Sequence, residues 1–305
     1  MRADELLNRA GYGSEAEVPA SPVRFPDGAQ VRVEIPSCEG PVVLAAIVDE
    51  AAQRGVVINR VSQGSGAMTL SEAELREMAV IGAAEGIEVS LFVGPREEWG
   101  VGAMSRAADG GAVGGGLRGM RQLRYGLEDV LRAVDQGIRG FLVADLGLLD
   151  VLVRAQRDGD LPAEVVWKGS VFMAPSNPAS LAVLARLGAS TVNLPTDVTL
   201  PELAELRTVT DLPLDLYVEA PDALGGVVRG EQVADIARVA SPVYAKYGLR
   251  NSRPLYPSGL HLQDDAALIA REKVRRAQVS LEWARRLGGV EQSDPGAKGL
   301  GVPQP

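Results

Sequence analysis

Short apolar segments recur along the chain, and their starts lie 23 to 31 residues apart, except for one interval of 53 residues. We interpret them as eight β-strands that begin near Val31, Val56, Ile87, Gly140, Glu164, Ser190, Pro213 and Pro242. Seven of these strands are followed by a stretch that can form a helix. Eight β-α units at this spacing predict an α/β fold, a (β/α)8 TIM barrel, whose active site lies at the carboxyl ends of the strands.

The predicted helix starts carry capping patterns. Ser71 and Glu74 have the spacing of a capping box, and Thr199 and Glu202 repeat it after the sixth strand. A last helix begins near Asp264, with apolar residues three and four positions apart. The pattern therefore divides the chain into an N-terminal extension (1–30), a TIM-barrel catalytic domain (31–289) and a flexible C-terminal tail (290–305).

The long interval after the third strand holds a Gly-rich loop, residues 94–119, with nine glycines. Its last six residues, 114–119, match the G-x-G-x-x-G pattern of dinucleotide sites. That pattern binds phosphate where a strand runs directly into a helix, but the third strand ends about twenty residues earlier. We therefore predict a loop over the barrel mouth, either a mobile lid or a disordered segment, before a helix from about Leu127 to Gln136.

Composition narrows the classes of partner. The net charge of −9 disfavours nucleic acid and anionic membranes as partners, and no uncharged apolar stretch is long enough to span a membrane. The first ten residues lack the apolar segment of a signal peptide, so we expect a cytoplasmic protein. A small molecule is the expected partner, and self-association into a homo-oligomer stays open. Cys38 is the single cysteine, which excludes an internal disulfide and a four-cysteine iron–sulfur cluster.

Side-chain alternation along the strands predicts which residues face the barrel interior. The surrounding helices need the aliphatic face of each strand, so the polar face should point inward. The inward set is then Arg32 and Glu34 on strand 1, Glu88, Ser90 and Phe92 on strand 3, Asp215, Tyr217 and Glu219 on strand 7, and Tyr244 and Lys246 on strand 8. Buried charges must be paired or hydrated, so this set is either a binding site or a structural ion-pair network.

Polar residues near the strand ends are the candidates for chemistry. The predicted catalytic residues are Glu219, Lys246, Lys168 and Asp145. A lysine inside a barrel can lose its proton and act as a base or form a Schiff base. A carboxylate can act as general acid or base, and Glu219 beside Asp145 could also hold a divalent metal ion. No other cofactor is expected.

The predicted substrate-binding residues are Arg60, Glu34, Asn193, Tyr217, Tyr244 and Arg250. Either Arg60 at the end of strand 2 or Arg250 after strand 8 could hold an anionic group. Loops after the last two strands commonly bind phosphate or carboxylate in this fold.

Residues 212–262 resemble the collagenase-like peptidase family of unknown catalytic type. The resemblance lies in Leu214-Asp-Leu-Tyr-Val-Glu-Ala220, Ser241-Pro-Val-Tyr-Ala-Lys-Tyr-Gly-Leu-Arg250, the loop 252–259 and the strand-6 segment 188–195. It implies a TIM-type barrel in a group that contains peptidases and hydroxylases of RNA or quinone precursors. Those hydroxylases use cysteine-ligated iron–sulfur clusters, and the cysteines expected after Glu219 are absent here.

Three functions remain open at this point. The first is a lyase, aldolase or isomerase that acts on an oxygenated anionic small molecule at the barrel mouth. The second is a peptidase-like hydrolase in which Glu219 activates water. The third is a non-catalytic barrel that serves as a binding or scaffold subunit.

Overall fold

The computed structural model describes residues 3–11, 17–100, 102–108, 110–294, 297 and 299–305. Eight parallel strands follow one another around a closed barrel, and the last strand pairs with the first. They are β1 (Val31–Pro36), β2 (Arg60–Ser62), β3 (Glu88–Phe92), β4 (Gly140–Val143), β5 (Val166–Gly169), β6 (Thr191–Asn193), β7 (Leu214–Glu219) and β8 (Val243–Tyr247). The predicted (β/α)8 TIM barrel is confirmed.

The helices precede, surround and close the barrel. They are α1 (Ala3–Arg9), α2 (Pro41–Arg54), α3 (Glu72–Glu85), α4 (Gly119–Asp135), α5 (Leu146–Asp158), α6 (Pro178–Leu187), α7 (Leu200–Arg207), α8 (Val233–Ala240) and α9 (Gln263–Arg286). The capping boxes at Ser71 and Thr199 are both present. Helix α4 begins at Gly119, earlier than expected. No helix in the described ranges is long and apolar enough to cross a membrane.

Strand 2 differs from the prediction. The ladder with its neighbours begins at Arg60, which lies opposite Glu34 of β1 and Glu88 of β3. The apolar run that starts at Val56 precedes the strand and does not alternate, so it carried no information on the register. Arg60 therefore opens β2 instead of closing it, and its side chain is buried inside the barrel.

The aliphatic faces of the strands form the core between barrel and helices. Val33, Leu91 and Leu216 are fully buried there. Burial of apolar area at about 25 cal/mol per Å2 makes this layer the main stabilising term. The polar faces consequently point inward, as alternation predicted, with the exception of Glu219.

Both terminal segments contact the amino-terminal end of the barrel. Phe25 packs edge-on against Tyr244, with ring centroids 5.1 Å apart. Ser293 accepts a hydrogen bond from Arg32 Nε at 2.9 Å, and Gln292 forms a β-bridge with Val31. The domain boundaries at residues 30 and 289 stay a prediction. Described residues before the first boundary and after the second both contact the barrel.

Candidate active site in the barrel interior

Two carboxylates and two cations form the centre of the barrel interior. Lys168 Nζ lies 2.7 and 2.6 Å from the two Glu34 oxygens and 3.6 Å from Asp215 Oδ1. Arg60 Nη1 donates to the same Asp215 oxygen at 2.6 Å and to Glu34 Oε2 at 3.3 Å. All four side chains are almost completely buried. They come from β1, β2, β5 and β7, so the closed barrel assembles residues that are far apart in sequence.

A second group of polar residues lies next to this centre. Lys246 Nζ is 3.4 Å from Glu34 Oε1, donates to the Asn193 side-chain oxygen, and lies 4.4 Å from the centroid of the Tyr217 ring. Ser62 donates to Glu34 Oε1 at 2.6 Å. Glu34 is thus the common ion-pair partner of both lysines.

A third group lies toward the amino-terminal end. Glu88 accepts from Arg60 Nε at 2.9 Å, from Arg32 Nη1 at 3.1 Å and from the Tyr244 hydroxyl at 2.8 Å. The Arg60 guanidinium also lies 3.3 Å from the centroid of the Tyr244 ring. Because every member of this group is held by its neighbours, we assign it a supporting role for Arg60.

The charges and the burial of the interior lower the pKa of Glu34 and also that of Lys168, but with different consequences for their protonation. Burial alone would raise the pKa of Glu34, but Lys168, Lys246 and Arg60 outweigh it and hold that pKa well below its usual range. Burial lowers the pKa of Lys168 to about 7; Asp215 and Glu34 oppose the shift, and Lys246 and Arg60 add to it. Lys168 is thus an amine that can be neutral near physiological pH.

The interior is not a fully satisfied ion-pair network. Arg60 Nη2, Asp215 Oδ2 and Thr191 Oγ1 are buried without a hydrogen-bond partner among the described residues. Buried polar atoms in folded proteins are normally paired, so each unpaired atom needs an explanation. Polar groups prepared for a ligand or for water explain them better than a purely structural network, which would lose stability at each unpaired atom.

Two predicted catalytic residues are not brought to the lysines. Asp145 caps α5, and its carboxylate accepts from Leu148 N at 2.8 Å and from Leu117 N at 2.9 Å. Glu219 follows a β-bulge: Tyr217 pairs with Lys246, but Glu219 pairs with Tyr247. The extra residue of a bulge reverses the alternation of faces. Glu219 consequently points outward to α9, where Arg276 Nε lies 3.6 Å away.

The two arginines predicted to bind an anion are each paired with carboxylates of the protein. Arg60 is held by Glu34, Glu88 and Asp215 deep in the interior. Arg250 is largely exposed, and its side chain lies 3.6 Å from Asp222. Of the remaining substrate-binding candidates, Asn193, Tyr217 and Tyr244 all line the interior beside the charged residues.

Metal ligands and a thiol nucleophile are not assembled around the lysines. Within the described ranges, no group of three or more His, Cys, Asp or Glu side chains could hold a metal ion. Asp145 and Glu219 were candidate ligands for a shared metal ion, but Asp145 caps α5 and Glu219 points toward Arg276 of α9. Cys38 is fully buried, and burial raises the pKa of its thiol.

A segment of the β8–α9 loop is bonded at the mouth to the segments after the adjacent strands β1 and β2. The Tyr256 hydroxyl lies 2.6 Å from Ser37 Oγ after β1, and Ser258 N donates to Ser65 Oγ after β2 at 2.7 Å. Gly64 is required under the Tyr256 ring, because a Cβ there would lie 2.3 Å from a ring carbon. Two surface clefts have volumes of about 540 and 550 Å3; the first lies beside α4 and includes Met68 and Pro95 from the segments after β2 and β3, and the second lies at the C-terminal segment.

Sequence reasoning placed Asp215 and Glu88 on the inner face but did not include them among the site residues. The small number of lysines in the chain is a stronger signal for the site, and the sequence prediction did not use it. The chain has four lysines against 27 arginines, and Lys168, Lys246 and Lys273 are all buried. Lys298, the fourth, lies outside the described residues. Arginine is the usual residue for buried ion pairs, so two lysines at one carboxylate suggest a need for an amine that can lose its proton.

No family model matches the chain, and no curated protein matches it in sequence. Solved structures resemble it at low identity. A candidate copper homeostasis protein, CutC, from Streptococcus agalactiae is 14% identical, with a TM-score of 0.49 over 70% of this chain and 98% of the other. A U32 peptidase is 17% identical, with a TM-score of 0.40 over 69% and 74%.

Structures described as aldolases and lyases are also among the neighbours. A candidate fructose-1,6-bisphosphate aldolase from Coccidioides immitis is 12% identical, with a TM-score of 0.49 over 83% of this chain and 89% of the other. These values give no basis for transferring an activity, a substrate or a site to this chain.

Proposed function

We propose that the protein is a lysine-dependent lyase, aldolase or isomerase that acts on an oxygenated anionic small molecule inside the barrel. The observation that carries the proposal is the pair of buried lysines at Glu34, in a chain that otherwise uses arginine almost throughout. An ion pair alone would be served as well or better by arginine, which cannot act as a base or nucleophile at neutral pH.

Lys168 is the reacting amine in this proposal. Its pKa of about 7 leaves a large neutral fraction at physiological pH, and only the neutral amine is nucleophilic. Nζ adds to a substrate carbonyl carbon, the carbonyl oxygen leaves as water, and an iminium ion forms. The iminium accepts the electron pair of a neighbouring C–C or C–H bond when that bond breaks, and hydrolysis returns the amine.

The other interior residues prepare Lys168. Lys246 and Arg60 disfavour its protonated form because they are cations close to it. Glu34 and Asp215 are the proton acceptors nearest to Lys168 Nζ. Lys246 is therefore a positioning residue that adjusts the protonation of Lys168 and orients Asn193. Asp215, whose Oδ2 has no hydrogen-bond partner among the described residues, carries protons between the amine and the reacting carbon.

A thermal-shift screen tests the substrate class. Wild type, Lys168→Met and, as matched control, Lys273→Met are screened against oxo acids, sugar phosphates, short peptides and divalent ions. A ligand at 100 times its dissociation constant stabilises a fold by about 2.7 kcal/mol. We expect an oxo acid or sugar phosphate to stabilise wild type and Lys273→Met but not Lys168→Met. Stabilisation of all three proteins to the same extent would contradict a role for Lys168.

A peptidase-like hydrolase of the collagenase-like family is the second candidate. Its support is that a loop contributing to the resemblance, residues 252–259, lies at the mouth, where Tyr256 and Ser258 are bonded to the segments after β1 and β2. Stabilisation by peptides or divalent ions alone, followed by peptide cleavage that Lys168→Met retains, would favour it over the lysine-dependent reaction.

A further inference from the structure

Arg96 is a buried cation at the mouth that the reaction proposed above does not use. It follows β3, and only 5% of it is exposed. Its guanidinium carbon lies 3.7 Å from the Phe92 ring centroid and 4.1 Å from the Trp99 ring centroid. Contact with two aromatic rings restricts the orientations of the guanidinium and so of its N–H groups.

The location of Arg96 relates it to the lysines. Phe92 is the last residue of β3 and pairs with Leu142 of β4, which pairs with Lys168 of β5. Phe92 and Lys168 therefore share one register row of the barrel, two strands apart, a separation of about 10 Å. Arg96 stacks on the Phe92 ring and donates to the carbonyl of Gly64, the glycine that contacts Tyr256. It thus lies at the edge of the mouth, next to the ends of β2 and β3.

One nitrogen of Arg96 has no hydrogen-bond partner among the described residues, and another is bonded to a side chain that a ligand could replace. Nε is buried without a partner among the described residues. Nη1 donates to Glu98 Oε1 at 3.1 Å, and the Glu98 side chain is 34% exposed. Glu98 belongs to the Gly-rich loop, where its backbone N donates to Gly114 O. Because Glu98 is a partly exposed carboxylate on a loop, a ligand carboxylate or phosphate can take its place at little cost.

We propose that Arg96 binds the anionic group of the substrate and that Glu98 occupies this position when no substrate is bound. The inference rests on the proposed function for its substrate, an oxo compound that carries a carboxylate or phosphate. Arg250, by contrast, is 59% exposed by side chain and is paired with an equally exposed Asp222, so solvent screens it.

Substitutions on the two sides of the pair have opposite expected effects. Arg96→Gln removes a charge-assisted hydrogen bond and should weaken binding of an anion about tenfold or more. Glu98→Gln removes the competing carboxylate and should tighten binding severalfold. Arg250→Gln is the matched control and should change binding less than twofold. A merely structural Arg96 would predict no gain in affinity for Glu98→Gln.

The experiment uses two pairs of probes that differ in the anionic group, glyceraldehyde 3-phosphate with glyceraldehyde and pyruvate with hydroxyacetone. Borohydride trapping at the lysine is measured by intact mass for wild type and the three variants. We expect Arg96→Gln to slow trapping of the charged member of at least one pair and to leave its neutral partner within twofold. The pair that responds distinguishes phosphate from carboxylate.

Equal slowing of charged and neutral probes, or no slowing, overturns the assignment of Arg96 and leaves the lysine chemistry standing. If wild type traps none of the four probes, the proposed function fails instead. Direct binding of inorganic phosphate and pyruvate by calorimetry then decides on Arg96. Binding that Arg96→Gln loses and Glu98→Gln strengthens supports the anion site, and absence of binding to wild type overturns it.

Discussion

At the scale of single residues, the interior distinguishes between permanent and removable positive charge. Arg60 stays protonated whatever its surroundings, and its contacts with Glu34, Glu88 and Asp215 hold it in one place. Lys168 shares two of those carboxylates, but its pKa is lowered to about 7, chiefly by burial. Lys168 can therefore lose its proton while Arg60 stays charged and keeps its contacts with the carboxylates.

The lysine content makes this difference measurable. With four lysines in the chain, a spectrum of protein labelled with 13C at lysine Cε contains four side-chain signals. We expect the Lys168 signal to titrate near pH 7 and the Lys273 signal near pH 8, the latter because burial lowers its pKa. Lys168→Arg and Lys273→Arg assign the two signals.

Lys246→Met tests the direction in which Lys246 shifts the pKa of Lys168. Removing a neighbouring cation makes the protonated form of Lys168 less unfavourable, so the pKa of Lys168 should rise. A reaction that needs the neutral amine then loses rate at pH 7 and regains it at higher pH. A Lys168 signal that titrates above pH 10 in wild type would contradict the account.

At the scale of elements, two local features determine which carboxylates enter the site. The bulge in β7 turns Glu219 toward α9, while Asp215, before the bulge, stays inside. Asp145 follows β4 at the carboxyl end of the barrel, but its oxygens accept from the backbone of α5 and of the Gly-rich loop. A position next to a strand end therefore does not by itself bring a carboxylate into the site.

The capping role of Asp145 predicts a stability effect. Asp145→Ala removes both backbone contacts and should lower the free energy of unfolding by about 1–2 kcal/mol, measured by urea denaturation. Asp145→Asn keeps an acceptor and should lose less than half of that. If Asp145→Asn were as stable as wild type and failed in borohydride trapping, the predicted catalytic role would be correct and the capping role secondary.

The sequence predicts the barrel and most of its inner face, because strand alternation and capping boxes are local patterns. Glu34, Asp215 and Lys246 could be placed inward in this way. The outward turn of Glu219 depends on one extra residue in the pairing of β7 with β8, which no local pattern reveals. The Val56 run likewise gave no register for β2. Closure of the barrel, not local sequence, brings Lys168 to Glu34 across 134 positions of the chain.

At the scale of the whole molecule, the barrel has a charged interior, and segments outside the strands contact both of its ends. The loop of Tyr256 is bonded to the segments after β1 and β2 at the mouth, and described residues of the C-terminal segment contact the opposite end. Glu291 O accepts from Gln30 N and Val31 N, and Gln304 N donates to Gly137 O at 2.8 Å.

Removal of residues 290–305 tests the contribution of the C-terminal segment. A chain that ends at 289 loses the contact of Ser293 with the buried Arg32 and the backbone contacts named above. We expect its free energy of unfolding to fall by at least about 2 kcal/mol in urea denaturation. Ser293→Ala, which removes one hydrogen bond to a charged group, should account for part of the loss. An unchanged midpoint would agree with a tail that is flexible and makes no stable contact.

The central claim is that a lysine of the barrel interior reacts with a carbonyl compound, and borohydride trapping tests it most directly. Wild type is reduced in the presence of pyruvate between pH 5 and 9, and the modified lysine is located by peptide mass spectrometry. The account predicts an adduct on Lys168, with a yield that rises through pH 7 and then levels off. An adduct confined to Lys298 or the amino terminus, or a yield that Lys168→Met leaves unchanged, would contradict it.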